Sequence, residues 1–310
     1  MSTSTPTGKA PQQLGDRVFA GVALAAGLVI VAALAAVFVF LAVEGSSGLN
    51  VADDVYAPAT NFVGYVGPLV FGTVLAAVLA LIIAVPFAIA IALFISHYAP
   101  RRLATPIAYV IDLLAAVPSV VFGLWGARYL AQYFKPMHAW FEAHLGFLPF
   151  FDGPASSTGK TILTAGFVLA IMILPIITAI SREVFAQTPT LNQEAALALG
   201  ATRWEMIRLA VFPYARSGMV AAVMLGLGRA LGETMAVAMV LSAKPVYTLN
   251  LISSENPATI ASNIASNYKE ATPDKQALLI ATGLVLFAFT FLVNFAARWV
   301  AGRNERKLAR

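Results

Sequence analysis

Six long apolar stretches constrain this sequence more than any other feature. A helix needs about 20 residues to cross a hydrocarbon core roughly 30 Å thick. The stretches are at least that long and almost free of charge, and they cover residues 18–43, 69–96, 105–127, 161–181, 217–243 and 276–297. They also lack the alternation of polar and apolar residues that is typical of barrel strands. The sequence therefore predicts an all-α polytopic membrane protein with six transmembrane helices.

The composition excludes several classes of protein. Only 11% of the residues are charged, whereas soluble domains contain about 25%. The chain has no cysteine, which excludes a disulfide framework, a thiol nucleophile and a cysteine-based metal site. The first apolar stretch has 26 residues and is too long for the core of a signal peptide, so we expect it to be a retained span.

The distribution of Lys and Arg predicts the orientation in the membrane. Of the 20 basic residues, 13 lie in one alternate set of connecting segments, which includes both termini, and six lie in the other set. Cytoplasmic segments carry the excess of positive charge. We therefore expect a protein of the cytoplasmic (inner) membrane with both termini in the cytoplasm. The bases do not cluster with aromatic residues, so no nucleic-acid partner is expected.

The chain divides into four predicted parts. Residues 1–17 form a predicted disordered cytoplasmic tail, because they are polar and lack an apolar pattern. Residues 18–64 contain the first span and an outer loop, residues 65–300 form the transport core, and residues 301–310 form a basic cytoplasmic tail. Residues 182–216 are the long cytoplasmic loop of that core.

Three ionisable residues fall inside the predicted spans: Asp112, Arg229 and Glu233. A charge near the centre of a bilayer costs several kcal/mol, so each should face protein or water and find a partner. Arg229 and Glu233 are four residues apart, which places them on one helical face within reach of each other. They either form a structural ion pair or lie in a substrate pathway, and we favour the pathway. The role of Asp112 stays open.

Two further features concern the backbone of the spans. A segment around Pro118, residues 117–123, is predicted to break its helix. The fifth stretch contains small residues at spacings of four, Gly228 with Gly232 and a second row of Gly218, Ala222, Gly226 and Ala230. Such rows let backbones approach closely in lipid. The fifth span is therefore expected to be a packing helix.

The cytoplasmic loop has the signals of two short helices. Asn192 can cap a helix over residues 193–199, Gly200 can end it in a left-handed turn, and Thr202 can cap a second helix. Pro213 is expected to close this unit before the next span. The loop would then form a compact helical projection.

This loop resembles the coupling motif of ATP-binding-cassette (ABC) importer permeases. The motif reads Glu-Ala-Ala, three residues, Gly, nine residues, Ile-x-Leu-Pro, and its matching positions are Glu194, Ala195, Ala196, Gly200 and Pro213. Ala210 and Phe212 stand where the motif has Ile and Leu. Residues 117–126, 174–183 and 228–237 further resemble the phosphate-specific permeases of the PstC type.

The resemblance implies a type I-like permease fold and an inward transport of inorganic phosphate. The implied partners are a sister permease, a cytoplasmic ATPase dimer and an extracytoplasmic phosphate-binding protein, with no cofactor in this chain. The alternative from the residues alone is a self-sufficient ion channel or secondary anion transporter, which would need its own coupling-ion site. An enzyme is not expected, because His97, His138 and His144 are too scattered to form a catalytic or metal cluster.

Overall fold

A computed structural model describes residues 14–308, and these residues are mostly helical. The helices are α1 Leu14–Ser47, α2 Phe62–Leu93, α3 Arg101–Ala116, α4 Ser119–Trp125, α5 Ala131–Leu145, α6 Ile162–Ala186, α7 Thr190–Ala198, α8 Arg203–Met206, α9 Phe212–Gly232, α10 Met235–Val240, α11 Ile260–Asn267 and α12 Pro273–Leu308. Two-residue strands β1, Ala243–Lys244, and β2, Asn256–Pro257, pair in parallel. Turns of π-helix extend α2 through residues 94–98, join α4 to α5 and join α8 to α9.

The described residues contain five helices that are long and apolar enough to cross a membrane, and a sixth span if one bent pair counts as a single crossing. The bent pair consists of α3 and the helix Ser119–Leu145, which meet at an angle of 92°. The predicted all-α class is confirmed. The third predicted span, residues 105–127, lies within this bent pair, and the predicted break around Pro118 is confirmed.

The break in the third span has a local cause. Val117 and Pro118 have extended backbone, with ψ of 129° and 139°. A proline ring disfavours the helical conformation of the residue before it, so Val117 leaves the helix and the chain turns. Pro86 and Pro175, by contrast, lie inside the continuous helices α2 and α6.

A row of alanines on α2 forms the centre of the packed core. Ala76, Ala80, Ala84 and Ala88 recur every four residues and are fully or almost fully buried. Small side chains at this spacing let a neighbouring helix approach closely in a membrane. Here α6 is the neighbour, and a Cβ on its Gly166 would lie 2.9 Å from Leu79 Cβ. Helix α9 packs against both α6 and α2.

Helix α1 lies apart from this core and packs mainly against α12. Gly48 allows the contact, because a Cβ there would lie 2.3 Å from the carbonyl oxygen of Ala277. The most apolar part of α1 is otherwise unburied, as expected for a helix that faces lipid. Residues 14–17 of the predicted tail belong to α1, and residues 1–13 lie outside the described residues.

The segments between the spans on one side of the molecule are tied together by Asn256. Its buried side-chain amide donates to the carbonyl oxygens of Lys160, Ser242 and Ser253, and its carbonyl accepts from the backbone N–H of Ile162. A fully satisfied buried amide of this kind fixes one arrangement of the chain. It fastens the loop between α10 and α11 to the start of α6.

Candidate functional site

The predicted coupling motif forms a compact projection, which we define as residues 190–213 and name the coupling segment. Helix α7 ends at Ala198, and Gly200 adopts a left-handed conformation with φ of +88°. Thr202 then caps α8 and forms a reciprocal capping box with Glu205. The predicted glycine turn and second cap are confirmed. The predicted cap at Asn192 is wrong.

Helix α7 begins earlier than the sequence suggested, at Thr190, with Pro189 as its N-cap residue. Proline fixes the extended conformation that a chain needs as it enters a helix. The expectation that Pro213 closes the unit is also wrong. It lies near the start of α9, directly after the π-helical turn Ile207–Val211, and residues 203–232 run on as one helical rod.

The base of the coupling segment is well packed. Phe185, Ile207 and Val211 are fully buried there with Ala92 and Met206. Ala196 is half-buried and packs against this cluster. Movement of the coupling segment is thereby linked to the ends of α2 and α6, because tightly packed side chains transmit displacement rather than absorb it.

The outer surface of the coupling segment is apolar and exposed. Leu191 and Leu199 are 76% and 90% exposed, and Trp204 and Leu209 are more than half exposed. A groove of about 860 Å³ crosses this surface and is lined by Ala195, Ala196, Gly200 and Pro213, among others. Glu194 is exposed and forms no ion pair with another described residue. A patch of this kind is typical of a surface that binds another protein.

Arg229 lies in the last turn of α9 and lines a groove between α6, α9 and α12. The groove has a volume of about 1090 Å³. Among the described residues that line it, Arg229 and Arg298 are basic and none is acidic, and Asn294 adds an amide. The Nε atom of Arg229 is buried without a hydrogen-bond partner in the described part of the chain. A guanidinium left in this state has free capacity to bind an anion.

The expected contact between Glu233 and Arg229 is absent from the ion pairs of the described residues. The prediction that the two side chains are within reach of each other is therefore wrong. Helix α9 ends at Gly232, and Glu233 has extended backbone with ψ of 126°. Its carboxylate is buried and accepts a hydrogen bond of 3.2 Å from the backbone N–H of Ala236, in the first turn of α10. The break removes the helical spacing on which the predicted pairing depended.

The fifth predicted span, residues 217–243, is likewise corrected to α9 followed by the separate helix α10. Its two small-residue rows face different surroundings. A Cβ on Gly218 or Gly226 would lie 2.5 Å from Val184 or 2.8 Å from Ile177, so this row packs against α6. Gly228 and Gly232 face open space within this chain. The first row therefore holds the subunit together, and the second is free for a neighbour.

The structure gives Asp112 a partner that the sequence did not reveal. One carboxylate oxygen of Asp112 on α3 lies 4.0 Å from a guanidinium nitrogen of Arg182 on α6. Both side chains are partly exposed, so the pair contributes little to stability. It connects the third span to the end of α6, eight residues before the coupling segment. No cluster of three metal-ligating residues occurs in the described range.

Comparison with known proteins places this geometry in a family. The profile described as "Binding-protein-dependent transport system inner membrane component" matches residues 84–306. The phosphate transport system permease protein PstC 2 of Mycobacterium tuberculosis is 48% identical over 304 residues, which is 94% of this chain and 93% of that protein. The PstC protein of Mesorhizobium japonicum is 36% identical over 307 residues, covering 95% and 92%.

Two solved structures share the fold. A chain of a bacterial ABC transporter that imports the acidic polysaccharide alginate has a TM-score of 0.55 and 16% identity, covering 94% of this chain and 99% of that one. A chain of the inward-facing MetNI methionine ABC transporter has a TM-score of 0.53 and 14% identity, covering 77% and 93%. This chain therefore belongs to the binding-protein-dependent transport system inner membrane components, and it is a PstC-type permease subunit of an ABC importer.

Proposed function

We propose that this permease moves inorganic phosphate inward across the cytoplasmic membrane. The observation that carries this proposal is the 48% identity, over nearly the full length of both chains, to a phosphate transport permease. The groove at Arg229 supports it independently. Its lining contains two arginines and no described carboxylate, which suits an anionic cargo.

The partners in this proposal follow from the same relationship. The chain associates with a sister permease, a cytoplasmic ATPase dimer and an extracytoplasmic phosphate-binding protein. The exposed leucines of the coupling segment support an ATPase contact, because a large apolar surface in water favours a protein partner. The open face at Gly228 and Gly232 supports a contact with the sister permease, because small residues allow close packing of helices.

The proposed orientation puts both termini and the coupling segment in the cytoplasm. The excess of Lys and Arg in that set of segments supports it. ATP binding would draw the two ATPase subunits together, and the coupling segment would transmit this motion to α2 and α6 through its packed base. The permease would then alternate between outward-open and inward-open states without making or breaking a covalent bond.

We assign Arg229 and Glu233 to the substrate pathway. Arg229 offers phosphate a planar set of donors with a permanent charge, a geometry that matches phosphate oxygens. Glu233 caps α10 at the break. Glu233 does not line the groove, and its negative charge, four residues along the chain, weakens the hold of Arg229 on the anion only from a distance. That weakening serves transport, because a site that binds too tightly does not release its cargo.

The test is phosphate uptake by the Arg229→Lys and Arg229→Met variants in the assembled importer, at matched membrane abundance. Loss of a charged hydrogen bond costs roughly 1.5–3 kcal/mol, so we expect at least a tenfold loss of uptake for Arg229→Met and a smaller loss for Arg229→Lys. Arg216→Lys is the matched control, because Arg216 is exposed on the same helix. Full uptake in Arg229→Met would refute the assigned role.

A second measurement separates the importer from a self-sufficient channel or secondary anion transporter. Proteoliposomes that contain the complex should take up phosphate only with binding protein outside and ATP inside. Uptake by this chain alone, driven by an ion gradient, would support the rival function instead.

A further inference from the structure

A second basic site lies at the opposite end of α10 from Glu233. This pocket, which we name the Lys275 pocket, has a volume of about 440 Å³. It is lined by Tyr65 at the start of α2, the end of α10, strand β1, the polar face of α11 and Lys275 in the first turn of α12. Helix α10 has six residues and is therefore only about 9 Å long. The pocket and the break at Glu233 are thus neighbours along one short helix.

Lys275 has no acidic partner in this pocket. Its Nζ donates to the carbonyl oxygen of Val55 at 2.7 Å and lies 4.4 Å from the centroid of the Tyr65 ring. It forms no ion pair with a carboxylate in the described range. The side chain is only partly exposed. An ammonium group has three N–H donors, so this cation is held in place while part of its donor capacity is unused.

A neutral hydroxyl group, that of Tyr65, belongs to the side chain beside Lys275. The Tyr65 hydroxyl accepts a hydrogen bond of 3.0 Å from Asn263, and no described group accepts its own proton. Tyr65 is buried, with 8% exposure. Asn263 is held in turn by Asn267, whose amide donates to its side-chain oxygen at 3.0 Å. Lys244, the other cation of the lining, is neutralised by Glu255. One unpaired ammonium group beside a free hydroxyl donor is the composition of a small oxyanion site.

We propose that the Lys275 pocket is a second anion site, which receives phosphate at the mouth of the permease before phosphate reaches Arg229. This inference rests on the proposed function, whose topology puts the pocket on the extracytoplasmic side. Lys275 supplies the charge, the Tyr65 hydroxyl supplies a neutral donor, and Val55 and the Tyr65 ring hold the ammonium group in position. The ligand of this pocket is dissolved inorganic phosphate and not the phosphate of a lipid headgroup.

The absence of cysteine in the chain makes the test direct. In the assembled importer, Lys275→Cys should lower phosphate uptake about tenfold, the loss expected when one charged hydrogen bond disappears. Modification with a reagent that adds an aminoethyl group should restore much of the uptake. Modification with a sulfonatoethyl reagent should leave it low, because that group repels anions. Lys275→Arg, which keeps the charge, should retain most uptake.

Lys269→Cys is the matched control, because Lys269 is exposed near the same end of the molecule and does not line the pocket. Neither reagent should change its uptake. Inorganic phosphate should also slow the labelling of the thiol in the Lys275→Cys variant, and an added Tyr65→Phe substitution should weaken this protection. Protection that follows the content of anionic lipid in the membrane, and not the phosphate concentration, would overturn the inference and assign the site to lipid headgroups.

The outcomes distinguish this inference from the proposed function. If the unmodified importer takes up phosphate while Lys275→Cys transports at the full rate, only the second site is refuted. An unmodified importer that takes up no phosphate would refute the proposed function and the second site together. Equal recovery with the aminoethyl and sulfonatoethyl reagents would also refute the site, because it would show that side-chain bulk matters and charge does not.

Discussion

At the scale of single residues, the free-energy cost of burying a charge in a membrane indicates which residues are functional, but it does not indicate which residues they pair with. Arg229 and Glu233 could be found in the sequence because charge inside an apolar stretch is expensive and rarely accidental. Their pairing could not, because it required the helix to continue to Glu233. The helix ends one residue earlier. Gly232 did not reveal this end, because it is itself helical and does not adopt the left-handed conformation of a helix-ending glycine.

Gly200 gives the first prediction at this scale. Its φ of +88° suits glycine, and a β-branched residue there should cost about 1–2 kcal/mol or more. A Cβ at this position would meet no atom within 4 Å, so strain and not a clash should cause the effect. We expect the Gly200→Val permease to insert in the membrane, and the importer that contains it to transport much less phosphate per ATP hydrolysed by its ATPase subunits.

The control for Gly200 is Gly200→Asn, because asparagine tolerates the left-handed conformation better than other side chains. It should retain most of the coupling. The measurement is the ratio of phosphate transported to ATP hydrolysed in proteoliposomes. A normal ratio in Gly200→Val would show that this turn does not transmit the motion.

At the scale of elements, a span was predicted accurately where a recognisable capping residue marks the end of its helix. The fourth span, predicted over residues 161–181, corresponds closely to α6, because Thr161 caps its start. The fifth was poorly bounded at both ends. Its helix begins inside the coupling segment and stops at Gly232, while apolar residues continue into α10. Hydropathy detects burial in lipid and does not detect a bend, so composition alone could not locate this break.

The contact between α4 and α10 is tight enough to test. A Cβ on Gly123 would lie 2.8 Å from Ala236 Cα, and backbone cannot move away as a flexible side chain can. Overpacking of this kind typically costs 1–3 kcal/mol. Gly123→Ala should therefore displace α10, lower the temperature at which the purified importer unfolds and reduce uptake.

Gly21→Ala on α1 is the control for an added methyl group, because a Cβ at Gly21 would meet no other part of residues 14–308 within 4 Å. Its melting temperature and uptake should match those of the parent protein. Unchanged stability and uptake in Gly123→Ala would mean that α4 and α10 separate easily. The close contact between Gly123 and Ala236 would then not be required for transport.

At the scale of the whole molecule, several surfaces of the permease are exposed that are typical of binding surfaces. Arg229 lines a groove, Leu199 is almost fully exposed, and a Cβ on Gly228 or Gly232 would meet no other part of residues 14–308 within 4 Å. A sequence contains the residues of these surfaces but does not identify what they contact. The assembly could be anticipated only because the coupling motif resembles that of a known family. The end of α9 at Gly232 and the separate helix α10 needed the structure, whereas Pro118 already indicated the break in the third span.

The orientation of the molecule can be tested with single cysteines, because the chain has none of its own. Ser47 and Ser157 lie in segments predicted to be outside, and Gln187 lies just before the coupling segment. All three residues are exposed. Ser157 is a better probe than Ser156, which is 4% exposed and bonded to Ser254.

In intact cells, a membrane-impermeant maleimide should label Ser47→Cys and Ser157→Cys, and it should label Gln187→Cys only after the membrane is opened. The physical reason is the concentration of Lys and Arg in the segments on the side of Gln187, which retains those segments in the cytoplasm. Labelling of Gln187→Cys in intact cells, with Ser157→Cys protected until lysis, would reverse the orientation. The coupling segment would then lie where no ATP is hydrolysed, and the proposed import mechanism would fail with it.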